Sequence, residues 1–82
     1  MRKKLVDILR EATSVAPLEV GTLRIENYRN RLEFYEGQRY LCVVSEYGSD
    51  FDIDYFLRNY TFLTWTQFRQ KVRNALRKRG TV

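Results

Sequence analysis

Three aspartates, Asp50, Asp52 and Asp54, alternate with apolar residues and have the spacing in this chain that best suits metal chemistry. On a β-strand they would share one face, where carboxylate oxygens suit Mg²⁺ or another hard cation. They do not form an EF-hand, because the sixth loop residue is Tyr55 rather than glycine and the twelfth is Thr61 rather than glutamate. We therefore expect a solvated strand face, with no metal and no cofactor. A metal-dependent nuclease is a distant alternative.

The chain contains no histidine and one cysteine, Cys42. This composition excludes nucleophiles activated by histidine, and it excludes zinc sites built from histidine or from several cysteines. We expect no catalytic residues, and we interpret Cys42 as a small buried side chain. A lone cysteine cannot form an internal disulfide, so a reducing compartment, the cytoplasm, is the expected location.

Positive charge is concentrated near the C-terminal end of the sequence. Residues 1–54 hold eight Lys/Arg and ten Asp/Glu, a net charge of −2, whereas residues 55–82 hold seven Lys/Arg and no acid, a net charge of +7. Six of these seven cations are Arg69, Lys71, Arg73, Arg77, Lys78 and Arg79.

Arg69, Arg73 and Arg77 recur at every fourth position, so on a helix they form an arginine ladder along one side. Like charges at this spacing destabilise an isolated helix by roughly 0.2–0.5 kcal/mol per pair. Arginine also suits bidentate contact with phosphate. Two interpretations remain open. The ladder is either solvated or paired with the acidic segment of the same molecule, residues 50–54, or it contacts a polyanion such as nucleic acid.

The expected strands offer a second candidate surface. A two-residue turn at Gly37-Gln38 places Tyr35 opposite Tyr40 on the outer face of the sheet. That face is expected to carry Tyr35, Tyr40, Cys42, Val44, Arg24 and Arg31. Tyrosine and arginine are enriched in protein interfaces and in surfaces that stack on bases. The face is either a partner surface or ordinary cross-strand packing.

A single small α+β domain, residues 1–82, is expected to position these surfaces, because a chain of this length supports one core. Helical spacing of Leu5, Leu9 and Ala12 predicts an N-terminal helix from residue 2 to about residue 14. A capping box of Thr64 and Gln67 predicts a C-terminal helix that ends near residue 80. Its apolar stripe is Trp65, Phe68, Val72, Ala75 and Leu76.

Between the helices, alternating apolar residues predict an antiparallel meander of three or four strands, with the C-terminal helix packed on its apolar face. The expected apolar pairs are Leu23/Phe34, Ile25/Leu32, Leu32/Val43 and Phe34/Leu41, with a four-residue loop at 27–30. The expected charged pairs on the outer face are Arg24/Glu33 and Glu26/Arg31.

Residues 49–60 fit two structures. Alternation of Phe51, Ile53 and Tyr55 with aspartates favours a fourth strand, whereas Ser49 and Asp52 have the spacing of a helix cap. We favour the strand.

The order helix, strands, helix is similar to that of double-stranded RNA-binding domains. Those domains begin their second helix with a lysine-rich cluster, whereas residues 65–68 here read Trp-Thr-Gln-Phe, so the resemblance is one of element order. In its size and its basic helix the chain also resembles small accessory proteins of phages, viruses or mobile elements.

The leading hypothesis is a non-enzymatic nucleic-acid-binding domain that contacts phosphates through the basic helix. The alternative is a small interaction module, an inhibitor or adaptor, that binds an acidic protein surface or uses the Tyr35/Tyr40 face. No run approaches the roughly 20 apolar residues of a membrane span, so no membrane association is expected. The choice between DNA and RNA, and association between copies, stay open.

Overall fold

The computed structural model describes residues 3–80. In chain order the elements are α1 (Leu5–Thr13), β1 (Leu18–Val20), β2 (Leu23–Tyr28), β3 (Arg31–Glu36), β4 (Arg39–Val44), α2 (Asp50–Tyr60) and α3 (Trp65–Arg79). The strands form one antiparallel sheet in the order β1-β2-β3-β4. All three helices bury side chains in one cluster with the inward-facing residues of the sheet. The expected α+β class, with a meander between helices, is confirmed.

The last helix begins and ends where its sequence predicts. The Thr64 hydroxyl accepts a hydrogen bond from the Gln67 backbone N–H, and the Gln67 side chain accepts one from the Thr64 backbone N–H. Gly80 ends the helix at φ 77°, in the left-handed region that glycine adopts without a Cβ clash. Phe68 and Val72 are buried in the core, whereas Trp65 is half-buried against it.

The meander turns through two residues at every connection, which corrects the four-residue loop expected at 27–30. Arg29 and Asn30 have φ values of 55° and 66°, as a type I′ hairpin turn requires. The pairing therefore shifts by two residues from the expected one, so that Ile25 lies opposite Phe34 and Glu26 lies opposite Glu33. Because side chains alternate between faces, a shift of two keeps each residue on its expected face.

Strands β3 and β4 depart from the expected pairing at a bulge. Tyr35 lies opposite Tyr40 as expected, but Leu41 has no partner on β3, and Phe34 lies opposite Cys42 instead. Beyond the bulge the faces are exchanged. Val44, expected on the outer face, is buried, and Val43, expected in the core, is exposed. Leu41 and Cys42 are half-buried against the core.

Residues 50–60 form helix α2, so the expected strand there is wrong. The Ser49 side chain and the Asp52 side chain complete a capping box at its start. Ile53, Phe56 and Leu57 are its buried residues, at helical spacing. The alternation of apolar and acidic residues was misleading, because the residues that the core buries in this segment recur at the helical period. Within residues 3–80, no helix has the length and apolarity that a membrane crossing needs.

Candidate nucleic-acid interface

The arginine ladder lies along the side of α3 because the buried stripe fixes the rotation of the helix. Phe68, Val72 and Leu76 face the core at every fourth position. Each ladder arginine follows one of them by one residue, which turns it about 100° away from the core direction. Arg73 and Arg77 are exposed, and Arg69 is half-buried.

The ladder has no acidic partner among the residues that the structure describes. No ion pair or side-chain hydrogen bond within residues 3–80 involves Arg69, Arg73 or Arg77. The same holds for Lys71 and Lys78, which are exposed on the opposite flank of α3. Pairing of the basic helix with the acidic segment is therefore absent among residues 3–80, which leaves a solvated ladder and a polyanion-binding ladder as the two interpretations.

The acidic segment uses its carboxylates elsewhere. Asp50 accepts hydrogen bonds from the backbone N–H groups of Leu5 at 3.1 Å and Val6 at 2.8 Å. Asp52 accepts from the backbone N–H of Ser49 at 2.7 Å. These contacts place the two carboxylates at the starts of two different helices, where the helix dipole favours negative charge.

Asp54 forms an ion pair with Arg58 at 2.9 Å, one turn along α2. The sequence pattern indicated that the three aspartates share one strand face. This prediction is wrong, because they lie on helix α2 and make separate contacts. Among residues 3–80, no group of three or more Asp, Glu, Cys or His side chains is arranged to hold a metal ion.

Arg79 differs from the other cations of α3. Its guanidinium donates hydrogen bonds to the carbonyl oxygens of Ala12 at 2.6 Å, Ala16 at 2.9 Å and Pro17 at 2.5 Å. These carbonyls belong to the end of α1 and the connection to β1. Arg79 thus anchors the C-terminal end of α3 to the body of the domain.

A shallow groove of about 300 Å³ adjoins the first half of the ladder. It is lined by Trp65, Thr66, Arg69, Gln70 and Arg73. Trp65 in this groove is half-buried against the core, and the guanidinium groups of Arg69 and Arg73 beside it form no ion pair within residues 3–80. Proteins that bind single-stranded nucleic acid combine aromatic and basic side chains in this way. The groove extends the candidate surface beyond the arginines themselves.

The outer face of the sheet repeats one motif, Arg-x-Glu-x-Tyr, on two adjacent strands. Residues 24–28 read RIENY, and residues 31–35 read RLEFY. Because β2 and β3 are antiparallel, the motif arginine of each strand lies opposite the motif tyrosine of the other, and Glu26 lies opposite Glu33. The expected charged pairs across these strands are therefore wrong.

Each of these glutamates is neutralised along its own strand. Arg24 pairs with Glu26 at 2.5 Å, and Arg31 pairs with Glu33 at 3.1 Å. Arg24 also lies over the ring of Tyr35, 4.8 Å from its centroid. Both arginines are thus engaged within the face, which leaves it without an unpaired cation at these two positions.

Hydrogen bonding on this face shifts the pKa values of its side chains. Two hydrogen bonds to Glu26 lower its pKa. The larger effect comes from the hydroxyl of Tyr28 and the smaller one from the guanidinium of Arg24. The hydrogen bond to Glu33 raises the pKa of Tyr35 to about 12. Burial alone raises the pKa of the Cys42 thiol to about 11, so the thiol stays protonated at neutral pH. Lowered carboxyl and raised hydroxyl pKa values fit a structural network rather than proton transfer at neutral pH.

Of the expected binding residues, Arg69, Arg73 and Arg77 lie together as the ladder. Arg79 instead anchors α3 to the body of the domain, a contact that sequence reasoning missed. The repeated motif was also missed, although its two copies, seven residues apart, are visible in the sequence. No signal in the sequence could have shown the contacts of Arg79, because they join residues more than 60 positions apart.

Comparison with known proteins adds no relative. No protein-family model matches the chain, and neither the curated proteins nor the solved structures contain a match. Function is therefore argued from the surface itself.

Proposed function

We propose that the chain is a non-enzymatic domain that binds nucleic acid by contacting phosphates through α3. The observation that supports this proposal most is the arginine ladder, whose three side chains lack an acidic partner within residues 3–80. Three neighbouring like charges are unfavourable on a helix unless a counter-ion or a polyanion compensates them.

The fold makes the ladder a rigid surface. Phe68 is fully buried beneath its first half, and Arg79 anchors the helix beyond its last member. The ladder rises by about 6 Å per arginine along the axis, so its geometry is set before a ligand arrives. Binding then orders the arginine side chains but not the helix that carries them, which reduces the entropy cost of association.

The test is a fluorescence anisotropy titration with labelled single-stranded and double-stranded DNA and RNA at several salt concentrations. We expect Arg73→Ala to weaken binding to unrelated sequences equally, since phosphate contacts carry no sequence information. On duplex DNA, the slope of log affinity against log salt should become shallower by about 0.9 for each phosphate that a variant no longer neutralises.

Two further variants separate geometry from charge. Arg73→Lys keeps the positive charge and should retain most of the affinity, losing only bidentate geometry. Arg58→Ala is the matched control, because Arg58 is an exposed arginine outside α3 whose charge is paired with Asp54. A folded protein that binds no nucleic acid at about 50 mM salt would contradict the proposal.

A second candidate function is a module that binds an acidic protein surface. It rests on the same unpaired charge and on Tyr40, which is 51% exposed on the outer sheet face. In that case ladder variants would lose a protein complex while nucleic acid binds weakly or not at all. We also propose a cytoplasmic location, which the single free cysteine supports.

A further inference from the structure

Strand β4 is an edge of the sheet that the described chain leaves open. Among residues 3–80, no strand lies beyond it, and no backbone group outside the sheet hydrogen-bonds to residues 39–44. The strand is six residues long and contains neither lysine nor proline; its only edge-protecting features are Arg39 at its start and the bulge at Leu41, which leave residues 42–44 regular and open. The other edge, β1, has only three residues. An open edge as long as β4 is a template for pairing with another chain.

Exposed apolar side chains lie on β4 and on the chain that follows it. Tyr40 and Val43 project from the outer face of β4, and they are 51% and 46% exposed. The chain that follows exposes Tyr47, Phe51 and Tyr55 even more fully. Clusters of exposed aromatic residues of this kind mark protein interaction surfaces.

We propose that β4 pairs antiparallel with β4 of a second copy of the chain, which joins the two sheets into one of eight strands. The charges at the two ends of β4 indicate that its partner is a second copy of the chain. Arg39 begins β4, and Glu46 lies two residues beyond its end. Neither side chain forms an ion pair within residues 3–80. Antiparallel self-pairing brings Arg39 of each copy to the end of the paired stretch where Glu46 of the other copy lies, so opposite charges approach each other at both ends.

The faces of β4 determine the register of this pairing. Residues directly opposite each other in an antiparallel pair must lie on the same face of the sheet. A twofold axis at Val43 meets this condition, because it places Val43 against its counterpart on the outer face and Cys42 against Val44 on the inner face. The bulge at Leu41 lies outside this central stretch. The proposal uses no residue of the arginine ladder, so it is independent of nucleic-acid binding.

Sedimentation equilibrium of the full chain tests the dimer. We expect a monomer–dimer equilibrium for the wild type, and at least a tenfold weaker dimer for Val43→Arg, since that variant places two like charges at the axis. The matched control is Val15→Arg, because Val15 is exposed and lies between α1 and β1, the strand at the opposite edge of the sheet. Circular dichroism shows whether each variant is folded.

A charge exchange provides a second readout at two exposed positions. Arg39→Glu and Glu46→Arg should each weaken the dimer severalfold, and the double variant should restore it. A wild type that remains monomeric at high micromolar concentration would overturn the proposal, as would assembly beyond the dimer. A dimer unaffected by both Val43→Arg and the charge exchange would overturn it as well.

Discussion

At the scale of single residues, the most unusual feature is a pair of like-charged glutamates that face each other across an open sheet surface. Glu26 and Glu33 lie directly opposite each other, a placement that normally destabilises a sheet. Each is compensated by an arginine two positions before it and by a tyrosine hydroxyl two positions after it. The repulsion is therefore offset within each strand rather than across the strands.

The titration of Tyr35 tests this network. Its hydroxyl donates to Glu33 at 2.7 Å, which raises the pKa of Tyr35 to about 12. We expect Glu33→Gln to return the pKa of Tyr35 towards the ordinary value of about 10. An ultraviolet difference titration measures tyrosinate formation, and Tyr35→Phe identifies the tyrosine concerned.

The same shift has a consequence for stability. Because the folded pKa of Tyr35 lies above the unfolded one, the hydrogen bond stabilises the fold fully below about pH 10. Its contribution is lost as the pH rises towards about 12. Glu46→Gln is the control, since Glu46 is exposed and should leave the titration unchanged. An unchanged Tyr35 titration in Glu33→Gln would show that the hydrogen bond does not cause the shift.

At the scale of elements, helix α1 depends on a residue of another helix for its cap. Its own N-cap residue, Lys4, makes no side-chain cap. Asp50, the first residue of α2, accepts hydrogen bonds from the first two N–H groups of α1. One carboxylate thus fixes the start of α1 against the start of α2.

We expect Asp50→Asn to lower the free energy of unfolding by about 1–2 kcal/mol, because an amide keeps one acceptor oxygen and loses the charge. Urea denaturation measures the change. Asp54→Asn is the same substitution at a surface ion pair of the same helix and should cost less than about 0.5 kcal/mol. Equal losses in the two variants would contradict a special role for Asp50.

The sequence predicted correctly those helices whose ends are determined by residues close to the ends themselves. The Thr64 capping box and Gly80 fix α3, and both act within a few residues of the helix ends. Helix α2 was assigned wrongly, because its cap signal competed with an alternating pattern. The helix is favoured by the burial of Ile53, Phe56 and Leu57 in the shared core, and that burial depends on residues far away in the sequence.

The sheet face on which each strand residue lies was easier to predict than the residue it pairs with on the neighbouring strand. A two-residue turn at Arg29-Asn30 instead of a four-residue loop changed every pair between β2 and β3 but no face. On β4 the bulge after Tyr40 exchanged Val43 and Val44, and no residue there signals a bulge. For the candidate site, the ladder could be predicted from spacing alone, whereas its lack of acidic partners within residues 3–80 became visible only in the structure.

At the scale of the whole molecule, the two proposed surfaces lie at different ends of the sheet. Helix α3 contacts β1, whereas β4 forms the opposite edge. The surfaces therefore need not compete. A dimer through β4 would carry its two ladders on the same side of one sheet, because antiparallel strand pairing keeps the inner faces together. Ligands long enough to reach both ladders would then bind by avidity.

The meander also bears on how fast the chain folds. Each strand pairs with the one before it through a two-residue turn, so the sheet forms from three successive hairpins. Contacts close in sequence lower the contact order and favour fast folding. The slowest of these hairpins to close is expected to be β2–β3, because its turn places Arg29 and Asn30 at positive φ without a glycine.

Replacing Arg29-Asn30 with Asn-Gly, the preferred type I′ pair, should remove this obstacle. We expect the refolding rate in stopped-flow experiments to rise about threefold, with little change in the unfolding rate, as for a hairpin formed in the transition state. If only unfolding slows, the hairpin forms after the rate-limiting step. The turn between β2 and β3 would then stabilise the native sheet without governing how quickly the chain reaches it.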